Sequence, residues 1–304
     1  MKPITDVLQS EFNKISAKFR TVSVDHLREL SEELLRWKHD GLITEAFFKQ
    51  NYGDFRFNLP DELPDTRSLI VIAVPQKPQP LIFMHQGIEH HTLIPPTYIY
   101  SSVRNACKEI LRKALKKTNH SVTLAILPFK LLAVRSGLGE YGKNNLCYVD
   151  GMGSYIRLQA FFTDYEFPSD HWQDRKAMER CTGCSLCQQN CPTQCIPANR
   201  FLIHADHCLT YLNENEGQFP SWINPQCHHA LVGCMRCQLV CPQNRSVIRR
   251  KEHPITFTEE ETAVILKKSP RDQIPKSLSQ KLIDLNMDEY YPLLSRNLSV
   301  LLKT

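Results

Sequence analysis

Cysteine is the residue type with the most chemistry to offer in this chain, and its distribution is uneven. Of twelve cysteines, ten fall between Cys181 and Cys241, and only Cys107 and Cys147 lie outside that stretch. A thiolate is a soft anionic ligand, so closely spaced cysteines in a reducing compartment point to a soft metal rather than to disulfides. Four of them form the run Cys181-Thr-Gly-Cys184-Ser-Leu-Cys187-Gln-Gln-Asn-Cys191-Pro192. Three more form Cys234-Met-Arg-Cys237-Gln-Leu-Val-Cys241-Pro242, the same pattern without its first cysteine.

The complete run is the C-x2-C-x2-C-x3-C-P arrangement of bacterial two-cluster ferredoxins. Two-residue gaps let three thiolates converge on three irons of one [4Fe–4S] cubane. The fourth cysteine is turned toward the other cluster, and the proline after it stops the chain from continuing a regular helix. Crossed ligation then assigns Cys181, Cys184, Cys187 and Cys241 to one cluster and Cys191, Cys208, Cys234 and Cys237 to the second. Cys208 stands in for the missing first cysteine of the second run; Cys227, seven positions before Cys234, is the alternative, and Cys195 has no place in either set. Structural zinc also uses C-x2-C pairs, but as separable pairs, and two interleaved C-x3-C-P endings suit cubanes better. Two such clusters make the chain an electron-transfer protein or a reductase.

Other chemically equipped residues say less by themselves. Gly137-Leu-Gly139-Glu-Tyr-Gly142 matches G-x-G-x-x-G formally. A dinucleotide fingerprint follows a strand directly and carries an acid about 20 residues on. Pro128 and the helical-looking Lys130 to Arg135 intervene here, so the motif does not predict NAD. His85, Glu89, His90 and His91, between Pro80 and Pro95, read as a solvated polar loop or a lid over a cofactor. His228-His229 beside Cys227 either tune a cluster or pack. The basic stretches Arg112 to Lys117 and Arg249-Arg250-Lys251 read as solvated faces, and a net charge of +5 permits an anionic partner without requiring one.

The elements that must hold these residues are those of a globular protein. Hydrophobic residues make up 42% and charged residues 23% of 304, which excludes a disordered chain. The longest apolar run, Leu69 to Val74, is far short of the roughly 20 residues that span a bilayer, and Met1 to Asp6 has no apolar stretch behind it to act as a secretory signal. The expected location is the cytoplasm, with no membrane partner. The first forty residues read as helical, with Leu27, Leu30, Leu34 and Leu35 on one face and Gly41 as the stop. Arg67 to Pro75, Ser121 to Leu127 and Tyr155 to Phe162 read as strands, and Tyr100 to Lys117 as a helix with Val103, Cys107, Ile110, Leu111 and Leu115 inward. Thr258 to Leu266, Leu278 to Leu285 and Tyr291 to Leu302 read as short closing helices. The expected class is α+β, in three consecutive segments: 1–170, a metal-organised module over 171–247, and a helical segment over 248–304.

Several of these motifs occur together in one known family. Ser136-Gly-Leu-Gly-Glu-Tyr-Gly-Lys-Asn144, then Gly153-Ser154 and Thr163-Asp164, precede the double cysteine run. With Cys208-Leu-Thr-Tyr211-Leu, Gly233-Cys-x2-Cys-Gln-Leu-Val-Cys-Pro-Gln-Asn244, and Arg56 in the stretch before Leu63-Pro64, they closely resemble the epoxyqueuosine reductases over residues 45–265. That family shares its core with the reductive dehalogenases. The resemblance implies a nitroreductase-like domain holding cobalamin over 1–170, followed by a double [4Fe–4S] ferredoxin-like module and short C-terminal helices. It implies a reductase that takes electrons from a low-potential ferredoxin- or flavodoxin-type donor and acts on a small molecule or a modified nucleoside. Arg56, Gly139, Lys143, Asn144, Ser154 and Tyr211 are carried over from it as cobalamin contacts. Members of the family hold the corrin with no protein His beneath the cobalt, and this chain has no D-x-H-x-x-G motif, the usual source of one.

Two departures bear on the substrate. The family's proton-donating Asp lies in a V-D-x-x-P segment before the glycine loop, where this chain has Leu124-Ala-Ile-Leu-Pro128. Tyr141 and Lys130 are the candidate proton donors in its place. tRNA-acting members continue into a helical-repeat tail, whereas this sequence ends at Thr304, which counts against tRNA as substrate. The reading of a different class is an Fe–S electron carrier or corrinoid-reducing activator without substrate chemistry of its own.

Overall fold

The computed structural model describes residues 2–248 and 252–303, so the basic run Arg249-Arg250-Lys251 lies outside the described residues. In chain order it begins with α1 (Ile4–Lys14), β1 (Lys18–Ser23), α2 (Leu27–His39), α3 (Glu45–Tyr52) and β2 (Ser68–Pro75). Then come β3 (Gln79–His85), β4 (Ile88–Ile94), α4 (Ser101–Leu115), β5 (Val122–Leu124), α5 (Phe129–Arg135), β6 (Glu140–Tyr141), β7 (Cys147–Tyr148) and β8 (Ile156–Thr163). The cysteine-rich stretch carries α6 (Leu186–Gln189), α7 (Leu209–Glu214), α8 (Arg236–Leu239) and α9 (Arg245–Ile248). β9 (Ile255–Phe257), α10 (Glu259–Leu266), α11 (Lys276–Asp284) and α12 (Tyr291–Leu301) follow. Among the described residues, no helix is long and apolar enough to cross a membrane.

The chain forms two compact units, 1–75 with 102–183, and 76–101 with 184–304. In the first, β2 is buried along nearly its whole length, as its unbroken Leu-Ile-Val-Ile-Ala-Val run requires. It is the inner strand of an antiparallel sheet ordered β1-β2-β8-β5, with Ile70 opposite both Thr21 and Phe161. Alternation sends Ile70, Ile72, Val74 and Phe161 into one core with Leu8 and Phe12 of α1 and Val103, Cys107 and Leu111 of α4. α5 packs against β2 and β8. β1 corrects the expectation of continuous helix over the first forty residues. Ser16, at φ 55, breaks α1, and the Phe19, Thr21 and Val22 side chains turn inward as β1 pairs with β2.

The second unit holds a three-stranded sheet ordered β4-β3-β9, with β9 parallel to β3. The expected polar loop around His85 to His91 is instead the β3–β4 hairpin. Gln86 and Gly87, at φ 53 and 75, form the two-residue turn with both central residues left-handed that suits the strand twist. Leu81 and Phe83 point inward, and Phe83 stacks on Phe257 with ring centroids 4.4 Å apart. Leu278, Leu282, Leu294 and Leu298 of the closing helices complete this core. The division therefore differs from the three consecutive segments expected from composition, because the hairpin and the closing helices bury one common apolar face.

Candidate metal centre and glycine loop

Two short stretches of the cysteine-rich region repeat each other residue by residue. Gly183-Cys184-Ser185-Leu-Cys187 and Gly233-Cys234-Met235-Arg-Cys237 each start with a left-handed glycine, at φ 72 and 74. Ser185 (φ −127, ψ 7) and Met235 (φ −124, ψ 5) then lead into α6 and α8 with nearly the same backbone. The two helices pack against each other, each carrying one cysteine, Cys187 or Cys237. A Cβ on Gly233 would collide with the Tyr98 ring, whose hydroxyl donates to Glu214, so glycine is required there by contact as well as by φ.

Around the second repeat, thiols converge. The Sγ atoms of Cys191 and Cys195 lie 3.5 Å apart, and Cys208 lies close enough to Cys195 to act on it electrostatically. Cys191 and Cys208 both lie close enough to Cys234 to act on it electrostatically. The nearby Cys195 holds the Cys191 and Cys208 thiols below the usual cysteine range, and Cys195 itself is held above it. Burial pushes the Cys234 thiol up to about 12. Cys227 ends a short turn, Pro225–Cys227, and its carbonyl accepts from His229 Nδ1 at 3.3 Å. His229 Nε2 in turn accepts from the Met235 amide at 3.1 Å, so it packs as a brace for the second repeat. His228 packs edge-on to Phe219, centroids 4.5 Å apart. Burial pushes both histidines down to about 4. Among the described residues, no three His, Cys, Asp or Glu side chains are gathered as ligands of a single ion. The donors on hand are thiols, the ligands that iron–sulfur clusters take.

The glycine loop is built by different means. Gly137, at φ 67, closes α5: its amide donates to Val134 O at 3.1 Å and that of Leu138 to Ala133 O at 2.9 Å, a left-handed helix C-terminus. The glycines thus follow a helix and open the β6–β7 hairpin, the reverse of a dinucleotide fingerprint. A Cβ on Gly139 would come within 2.6 Å of Cys147 Sγ. Asn144 is buried and its Nδ2 donates to Tyr148 Oη at 2.9 Å. Lys130 is exposed at the loop's edge, with Nζ 3.4 Å from Asn145 O.

Tyr141 lies opposite Cys147 in the β6–β7 pair, and Lys130 Nζ reaches the Asn145 carbonyl of the same hairpin. Burial pushes the Tyr141 hydroxyl well above the usual phenol range and the Cys147 thiol up to about 12. Ser154 is buried just beyond the bridge between Val149 and Gly153. The Arg56 amide donates to Ile126 O at 2.9 Å, beside Leu124–Pro128. Tyr211 lies on α7, half-buried, in the second unit. Two buried amide groups in the first unit have no hydrogen-bond partner, Asn145 Nδ2 and Gln159 Nε2.

An ionic cluster behind the loop was not foreseen. Arg135 pairs with Glu29, with Glu33 at 3.9 Å and with Asp174 at 3.5 Å, and stacks on Trp172. Arg175 reaches Glu33 at 3.2 Å. Tyr141 is tied to the same strand segment, its amide donating to Lys176 O and its carbonyl accepting from Met178 N.

Residues 180–244 match a family described as "4Fe-4S double cluster binding domain". The cysteine-rich region is therefore a double [4Fe–4S] module of the kind its spacing predicted. An epoxyqueuosine reductase from Pseudomonas aeruginosa is 28% identical over 253 residues, covering 74% of this chain and 64% of the relative. That of Escherichia coli K12 is 29% identical over 236 residues, covering 72% and 59%. Over about three quarters of its length the chain is similar to epoxyqueuosine reductases. It spans about three fifths of the length of these relatives. The fold agrees: the solved epoxyqueuosine reductase of Streptococcus thermophilus superposes with a TM-score of 0.67 over 98% of this chain and 80% of that one, at 19% identity. A solved epoxyqueuosine reductase with an epoxyqueuosine-modified tRNA stem loop gives 0.68 over the same shares.

Proposed function

We propose that this chain is a cobalamin-dependent reductase fed by two [4Fe–4S] clusters. The observation that carries the reading is the paired Gly-Cys-x2-Cys turns within a matched double-cluster domain, joined to a glycine loop of the family's pattern. Bound clusters supply one-electron transfer, and bound cobalamin supplies a reducing metal centre. Cys181, Cys184, Cys187 and Cys241 would hold one cluster and Cys191, Cys208, Cys234 and Cys237 the other. That Cys208, like Cys191, is near enough to Cys234 to act on it electrostatically supports Cys208 over Cys227 as the eighth ligand.

The loop's donors fit a large ligand rimmed with amides and bearing a phosphate. Lys130 and Lys143 bring ammonium groups, Ser154 a hydroxyl, and Asn145 a buried amide without a partner. Gly139 and Asn144 would serve this site indirectly. One admits Cys147 and the other holds Tyr148, and together they set the loop's shape. Arg56 would complete the first unit's contacts to the corrin.

Lys130, being exposed, would present the proton that a reduced bond needs, and Tyr141, at 3% exposure, would act as a positioning residue behind Cys147. The substrate class is a modified nucleoside, as the names of the relatives suggest. A ferredoxin- or flavodoxin-type protein would be the electron donor.

The test is anaerobic reconstitution with iron, sulfide and cobalamin, followed by the visible spectrum and by turnover of an epoxyqueuosine-bearing tRNA stem loop and of the free nucleoside. Corrinoid binding with turnover supports the reading. Corrinoid binding without turnover leaves an activator, and clusters without corrinoid leave an electron carrier. With turnover in hand, Lys130→Ala should lose activity about 10²-fold or more, the usual yield of a placed acid. Tyr141→Phe should lose less.

A further inference from the structure

We infer that Cys195 is a positioning residue of the second cluster, a buried thiol that donates its S–H to the ligand sulfur of Cys191 and so raises that cluster's reduction potential. The inference rests on the cluster assignment proposed above.

Cys195 belongs to neither quartet, yet it is the best buried cysteine of the region, 2% exposed. The chain is bent to put it there. After Cys191-Pro192, the Gln194 amide donates to Cys191 O at 3.1 Å, and Gln194 takes φ 52, so the next side chain folds back onto Cys191. The Cys195 carbonyl then accepts from His204 N at 2.8 Å, which anchors the return. The result is the 3.5 Å Sγ–Sγ approach to Cys191. A threonine adds to the same shell: Thr193 Oγ1 lies 3.6 Å from Cys191 Sγ.

Cys195 has one proton to give and Cys191 Sγ is within its reach, so that ligand sulfur carries a hydrogen bond from inside the protein rather than from water. An added electron makes the cluster and its thiolates more negative. A donor to a thiolate therefore favours the reduced form, and the potential rises. A fifth ligand is not needed, since each of four irons takes one terminal cysteine.

The whole chain and its Cys195→Ala and Cys195→Ser variants, each reconstituted without oxygen, would be assayed for iron and titrated potentiometrically by EPR. All three should hold about eight irons, the content of two [4Fe–4S] clusters. One midpoint should fall in Cys195→Ala and lie between wild type and alanine in Cys195→Ser, whose hydroxyl still donates, while the other midpoint stays put. Unchanged midpoints at full iron overturn the inference, as do equal shifts of both. Iron falling to about four in both variants also overturns it, because Cys195 would then be a ligand to one of the clusters. A wild-type chain that takes up no cluster refutes the assignment itself, and the inference with it.

Discussion

The sheet of the first unit and the cysteine-rich stretch of the second are stabilised by unlike means. β2 and β8 meet along eight opposed residue pairs, and their side chains are buried among helices without any polar ligand. Between Cys184 and Cys241 the longest helix, α7, has six residues, and α6 and α8 have four each. Helices that short do not stand by their own hydrogen bonds. What holds the stretch from outside is largely α12: Arg296 donates to the carbonyls of Leu212, Asn215 and Gly217, and Asn297 Nδ2 to those of Asn213 and Leu231. Leu231 and Val232 add a foothold in the second unit's apolar core, and the short turns that carry the cysteines are left to the thiols for the rest of their order. Apolar burial makes one region independent of any cofactor, whereas the other is built so that metal binding completes its folding.

The sharpest way to break this contrast is to remove a ligand. Cys234→Ala should lower iron from about eight to about four per chain. Hydrogen exchange should then quicken across 184–241 while the amides of β2 stay protected. Equal loss of protection in both regions would show that they do not differ as argued. The converse substitution is Phe161→Ala, at a side chain with no exposure in the core of the sheet. Its cost should be about 3–5 kcal/mol by urea denaturation, with cluster content unchanged below the transition.

A smaller effect separates apolar from ionic burial within the first unit. Desolvation pushes the Glu33 carboxyl above its ordinary 4.5, against the opposing pull of Arg175 and Arg36. The folded protein therefore holds that proton more tightly than the unfolded chain. This contribution is complete below pH 4.5 and is lost as pH rises through the elevated folded value. Glu33→Gln should flatten the decline of stability from pH 4.5 upward relative to wild type, whatever offset it brings. A variant curve parallel to the wild-type curve would show that Glu33 is not the group responsible.

How legible each region was in the sequence follows the same division. The cysteine spacing spoke for itself, because cluster ligation is set by gaps of two and three residues. The strand around Leu69 to Val74 was legible from its apolar run. β1 was not: Lys18 to Ser23 is short, follows a helix closely, and reads as a strand only when paired with β2. The β3–β4 hairpin was hidden by its histidines: His90, opposite Phe83, shares the inward face with His85 near the turn, which breaks the apolar alternation, while His91 lies opposite Ile82 on the outer face. The Arg135 cluster draws partners from 29–33 and 172–175, and no local pattern announces a contact across that distance. Cys195 was set aside for a similar reason, since its approach to Cys191 depends on a reversal at Gln194 that spacing does not encode.

The smallest effect tests whether the second unit's apolar core stands apart from its cysteine stretch. α10 starts with a capping box: Thr258 Oγ1 accepts from Glu261 N at 3.2 Å, and Glu261 Oε2 accepts from Thr258 N at 3.0 Å. One residue on, the Glu259 carboxylate accepts from the hairpin-turn amides of Gln86 at 3.1 Å and Gly87 at 2.6 Å. The same helix end is therefore both capped and pinned to the β3–β4 turn. Thr258→Ala removes the cap and leaves the pin, so it should cost about 1 kcal/mol, the ordinary worth of such a residue. Iron content and both cluster midpoints should be unaffected, because the change lies within a core that depends on Leu278, Leu282 and Phe257 rather than on sulfur. If Thr258→Ala released iron, the closing helices and the cysteine stretch would be one cooperative body, and the contrast would have to be drawn between the two units instead of within the second.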